Sequence, residues 1–134
     1  MRYLLAYAAT LVAMAGLDFL WLSNTVEPIY HRALGDLLAP EPNMKAAVVF
    51  YLLYGVGVLW FAVRPALLDG DWRTALLNGA LFGFFAYATY DLTNLATLKV
   101  WSLKVSLIDI AWGTVLTGVV ATAGALAGSL LNRA

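Results

Sequence analysis

The chain has 134 residues, 63% of them hydrophobic and only 12% charged, with no net charge and no cysteine; its mean hydropathy is +0.81. A soluble domain is typically about 45–50% apolar and about 25% charged, so this composition points to a membrane protein. It excludes thiol redox chemistry, disulfides and thiolate metal sites, and the lack of any basic run argues against nucleic acid as a partner.

Four windows are nearly free of charge: Tyr3 to Leu17, Ala46 to Val63, Thr74 to Tyr90 and Ile110 to Leu131. A spanning helix needs roughly 20 mostly apolar residues. With Asp18, Asp91 and Asp109 admitted at their margins, all four windows reach that length. The expected architecture is all-α: a single domain over 1–134, forming an integral membrane bundle of four transmembrane helices at 3–23, 45–64, 73–97 and 105–130. No window shows the dyad alternation of an outer-membrane barrel.

The first helix begins like a secretory leader, with Arg2, an apolar run and Ala13-Met14-Ala15 as a small-residue site; we expect it to be retained. It should end near Trp21 to Ser23. Pro28 and the pair Pro40 and Pro42 then resist helix continuation. Between them IYHRALGDLLA puts Ile29, Tyr30, Ala33, Leu34, Leu37 and Leu38 on one stripe, the spacing of a short separate helix lying in the membrane interface. Asn43 is placed to cap the second helix. The next turn, VRPALLDGDW, should break at Pro65 and Gly70, with Asp71 capping the third helix. A last turn around LKVWSLK leads into the fourth.

The membrane face that holds the termini is called face A here and the opposite one face B. Trp60 and Trp72 lie near face A and Trp21 and Trp101 near face B, an aromatic belt at each interface. Arg2, Arg64, Arg73 and Arg133 fall on one side, and Arg32, Lys45, Lys99 and Lys104 on the other. The positive-inside rule therefore gives no orientation; the charged amino terminus favours both termini in the cytoplasm of a bacterial inner membrane. Lys99 and Lys104 are expected to snorkel to the interface.

The chemistry concentrates at face B. At about 1.5 Å per residue, Asp18, Asp91 and Asp109 all lie roughly 6–9 Å inside that surface, on three different helices. Ionisable groups within a bilayer normally face the bundle interior or a water-filled cavity. Tyr87, Asp91 and Asn94 share one face of the third helix. Tyr51 and Tyr54 offer hydroxyls from the second, and Trp21 and Trp112 each sit one turn from an aspartate and offer indole donors. These residues are expected to line a polar chamber open toward face B, with Asp18, Asp91, Asn94, Tyr87, Tyr51, Trp21, Asp109 and Trp112 as ligand-binding candidates. The bland alternative is that the carboxyls are interhelical hydrogen-bond clamps, or, for Asp109, a group in the headgroup region. The repeated D-x-x-W at Asp18-Trp21 and Asp109-Trp112 reads as chance, because both aspartates fall near the same surface, whereas an inverted repeat separates them. His31, the lone histidine, is expected to be a solvated residue; its other reading is a catalytic or metal role with the carboxylates. No metal or cofactor is expected.

Gly79-Ala80-Leu81-Phe82-Gly83 and Gly124-Ala125-Leu126-Ala127-Gly128, both near face A, let helices approach closely. They serve either a tight internal seam or a homodimer contact.

FYLLYGVGVLWFAVRPAL, GALFGFFAYATYDLTNLATLKVW and DIAWGT resemble, nearly end to end, a bacterial family of predicted membrane proteins, domain of unknown function 2177. YATYDLTNLATL is the most specific part. The resemblance implies a small multi-pass inner-membrane protein and carries no catalytic role. Three functions fit the residues: binding or transport of a small amphiphile or cation against Asp18 and Asp91; an embedded enzyme acting on a lipid or isoprenoid with paired aspartates; and an accessory or assembly protein whose aspartates only hold helices together.

Overall fold

The computed structural model describes residues 1–131 and is helical throughout, with no strand among the described residues. Arg133, counted above among the charges of one face, lies outside them. Four long helices follow one another: α1 Arg2–Leu37, α2 Met44–Asp69, α3 Trp72–Thr97 and α4 Leu103–Leu130. α1, α2 and α4 are long and apolar enough to cross a membrane. α3 matches them in length, but Arg73, Asn78, Asp91 and Asn94 make it more polar.

Two expectations about helix ends are corrected, and both concern proline. No separate interfacial helix forms. α1 runs on through Pro28, with a wide π-type turn over Val26–His31, and tightens at its end into a 3-10 turn, Gly35–Leu37. Helical geometry falters at Thr25, where φ is −121° and ψ −20°. α2 likewise passes through Pro65 to Asp69, where Gly70 ends it in the left-handed conformation. A π-type turn over Leu59–Val63 precedes that proline too. Proline supplies no N–H to the carbonyl four residues back, and its ring crowds that carbonyl. Widening the helix by one residue per turn relieves the crowding. The carbonyl that Pro65 leaves open, that of Phe61, accepts instead from Asn78 Nδ2 on α3 at 3.2 Å.

Helix starts follow capping chemistry. The Asn43 side chain accepts from Ala46 N at 3.1 Å, Asp71 from Arg73 N at 2.9 Å, and Ser102 from Val105 N at 3.1 Å.

α4 is the central helix, and its small residues explain why. A Cβ on Gly79 or Gly83 of α3 would collide with Thr117 and, for Gly83, with the Gly113 carbonyl of α4. On Gly124 it would meet Thr10 of α1, and on Gly128 Leu67 of α2 and Ala6 of α1. Both glycine motifs thus face neighbours within the chain. The buried core, with Ala6, Val58, Ala62, Val63, Ala75, Val120 and Ala121, fills the half nearer face A. Outward-facing residues are apolar: Val12, Leu53, Phe85 and Val115 are 73%, 68%, 62% and 58% exposed. Apolar surface this continuous needs lipid or protein around it. Polar side chains on the outside of α3 are satisfied locally; the hydroxyls of Thr89, Thr93 and Thr97 donate to carbonyls one turn back.

Candidate functional site

At the face-B end the helices enclose a cavity of about 510 Å³. Each wall comes from a different helix. α1 contributes Asp18, Trp21 and Leu22, and its extension brings Tyr30 and Leu34, with Leu38 just beyond. α2 gives Phe50, Tyr51 and Tyr54; α3 gives Ala86, Tyr87, Tyr90 and Asp91; α4 gives Val105, Asp109 and Trp112, with Trp101 from the preceding turn. Among the described residues no lysine, arginine or histidine lines it.

Asp18 is fully engaged. Its Oδ2 accepts from the Tyr51 hydroxyl at 2.5 Å and its Oδ1 from Trp112 Nε1 at 3.0 Å, so one carboxyl ties α1 to α2 and α4. The Trp112 indole stacks on Trp21, ring centroids 4.4 Å apart and planes 5° from parallel. Trp21 Nε1 donates to the Tyr30 hydroxyl at 3.1 Å, which in turn donates to Asp109 Oδ1 at 2.9 Å. Neither indole therefore serves the aspartate one turn away on its own helix, as the sequence suggested. Trp112 serves Asp18, and Trp21 reaches Asp109 through Tyr30. The packing of α1 on α4 explains the exchange, because the stacked indoles reach across the gap between the two helices. The two D-x-x-W segments are interlocked.

Asp91 is different. It is 1% exposed, and among the described residues neither carboxyl oxygen meets an N–H or O–H donor. The polar group standing against it is another carboxyl, that of Asp109. A buried charged acceptor without a donor is expensive and normally absent from a finished fold.

The rest of the cavity is aromatic or closed by hydrogen bonds. The Tyr54 hydroxyl and Thr117 Oγ1 lie 2.7 Å apart at the floor. Tyr90 meets Trp101 edge-on at 5.8 Å, and Trp101 Nε1 donates to Ser106 Oγ at 3.0 Å.

Of the residues singled out in the sequence, Asp18, Trp21, Tyr51, Tyr87, Asp91, Asp109 and Trp112 line this space, while Asn94 does not. Asn94 is half-buried and sits by the Tyr90 hydroxyl. His31 also stands apart, exposed and 3.1 Å from Glu27. Among the described residues no three histidine or carboxylate groups come close enough to hold a metal ion. Tyr30, Leu34 and Trp101 were not singled out for the chamber. The stripe carrying Tyr30 and Leu34 has the spacing of a lipid-facing helix, but in the structure it covers the cavity.

A family model described as predicted membrane protein DUF2177 matches residues 3–126. The chain belongs to that family. No curated protein and no solved structure matches it. This DUF2177 member is a membrane protein: its apolar helices and apolar outer faces agree with the family's description. Asp18, Asp91 and Asp109 of the DUF2177 chain are drawn from three helices to one half-open cavity, and among the described residues both oxygens of Asp91 lack an N–H or O–H donor.

Proposed function

We propose that the chain spans the bacterial inner membrane with all four helices and binds, or carries, a small amphiphilic cation in the face-B cavity. The observation that supports this most is Asp91, a fully buried carboxyl whose oxygens meet no N–H or O–H donor among the described residues, in a cavity that no described basic residue lines. A positively charged ligand supplies what the fold omits. Tyrosine and tryptophan faces around it favour a cation further through their quadrupoles. A volume of about 510 Å³ falls within the range of about 300–1,000 Å³ usual for small-molecule sites.

In this reading Asp18 holds the walls together, since its oxygens already have donors, and Asp91 is the counter-charge. α3 crosses the membrane despite its polarity because its polar residues face the cavity, neighbouring helices or their own backbone, not lipid.

The test is thermal stabilisation of the purified protein by a panel of organic cations. Wild type should gain melting temperature with some of them, and Asp91→Asn should lose that response. A panel that leaves wild type unmoved, or that stabilises Asp91→Asn equally, contradicts the proposal.

A further inference from the structure

Building on the cation-site reading above, we infer that the preferred ligand is an amine that keeps its N–H bonds, its ammonium seated between Asp91 and Asp109, and not a quaternary ammonium. Aromatic cages alone accept quaternary ammonium well, because charge over a ring face needs no hydrogen bond. This cavity adds something such cages lack. Both oxygens of Asp91 are removed from water and, among the described residues, meet no donor apart from the carboxyl of Asp109 beside them. Asp109 stands opposite, its Oδ1 accepting from Tyr30.

A primary ammonium carries three N–H donors and can give hydrogen bonds to both carboxyls at once. A trimethylammonium group presents methyls, so Asp91 would stay without a hydrogen bond while held just as far from water. Sites built to hydrogen-bond a ligand reject analogues that lack the donor, because the site's own buried groups are then left unmatched. The lining also sets a second rule. Without lysine, arginine or histidine among the described lining residues, an acid group lodged inside the cavity finds no partner. Amino acids, whose carboxyl sits one carbon from the ammonium, are therefore poor candidates, whereas the phosphate of an ethanolamine headgroup must stay at the cavity mouth. The apolar part of the ligand lies among Leu22, Leu34, Leu38 and Phe50. Such an ammonium comes either from a free alkylamine or from the headgroup of an ethanolamine lipid.

The experiment compares hexylamine with hexyltrimethylammonium in competition and thermal-shift titrations of the full chain in detergent. Hexylamine should bind roughly tenfold or more tightly, and Asp91→Asn should erase the difference. Asp36→Asn, an exposed carboxyl outside the cavity, should leave it intact. Equal or better binding of the quaternary compound overturns the N–H preference while the cation site stands. Binding of neither compound overturns the cation site itself. Should Asp91→Asn fail to fold, the wild-type comparison of the two amines decides alone. Nanodiscs of ethanolamine against choline phospholipid separate the sources. If the ethanolamine lipid alone displaces hexylamine, the ligand is a lipid headgroup; if hexylamine binds equally in both, it is a free amine.

Discussion

The Trp21 indole lies flat on that of Trp112, centroids 4.4 Å apart; the Trp112 N–H donates to Asp18 on α1, and the Trp21 N–H donates to Tyr30, whose hydroxyl donates to Asp109 on α4. This stack locks α1 to α4 at the mouth of the cavity. It also links the two satisfied aspartates into one network running Tyr51, Asp18, Trp112, Trp21, Tyr30 and Asp109. Asp91 is the acid that the network leaves out.

Removing the donors of Asp18 should cost stability and not merely binding. Tyr51→Phe and Trp112→Phe each delete one hydrogen bond to a partly buried carboxylate and keep an aromatic ring in place. Each should lower unfolding free energy by about 1–3 kcal/mol, read from denaturant titrations in detergent. The double variant should cost more than either, since Asp18 then has no donor at all.

Tyr30→Phe should act locally. It breaks the link between Trp21 and Asp109, so hydrogen exchange over the extension of α1, from Val26 to Leu37, should rise. Exchange in α4 should change little, because the core packing nearer face A is untouched. Equal protection of the extension in both proteins would show that Tyr30 does not hold it.

Two glycines should respond in opposite ways to alanine. At Gly113 a Cβ would enter the ring of Tyr87, and the overpacking should cost about 1–3 kcal/mol. At Gly16 nothing lies within 4 Å, so alanine should be neutral or raise stability by about 0.5–1 kcal/mol through helix propensity. Melting temperatures of the pair check this directly.

Asn78→Leu should destabilise the bend in α2. Phe61 O would lose its donor, and Pro65 cannot replace it. The expected loss is about 0.5–1.5 kcal/mol, the net contribution of one hydrogen bond. A Pro65→Ala background should reduce that loss, because an alanine N–H is free to take up the same carbonyl.

How much of this could be read from sequence differs by residue. The caps at Asn43 and Asp71 were legible because capping is local, an oxygen meeting an N–H two or three residues on. The common depth of Asp18, Asp91 and Asp109 was also legible, since helix rise and window edges fix it. The paths through Pro28 and Pro65 were not. Proline rules assume an ordinary helical turn, and here a π-type turn spans Pro28 and another lies just upstream of Pro65. Donor assignment failed for a related reason. Spacing along one helix brings Trp21 near Asp18, whereas only the packing of α1 on α4 reveals that Trp112 takes Asp18. Asn94 shares a helix face with Asp91 by count, yet it sits a turn closer to the end of α3, beyond the cavity. Which of the three acids would lack a donor depends on every neighbour at once, so no spacing argument could single out Asp91.

Trp21, Trp101 and Trp112 line the cavity, and Trp60 and Trp72 lie exposed at the far end of the bundle. Tryptophan emission therefore reports occupancy of the cavity. Titrating the purified protein with hexylamine should give a saturable emission change in wild type and none in Asp91→Asn. An identical saturable change in Asp91→Asn would contradict the assignment of Asp91 as the anionic anchor of the site.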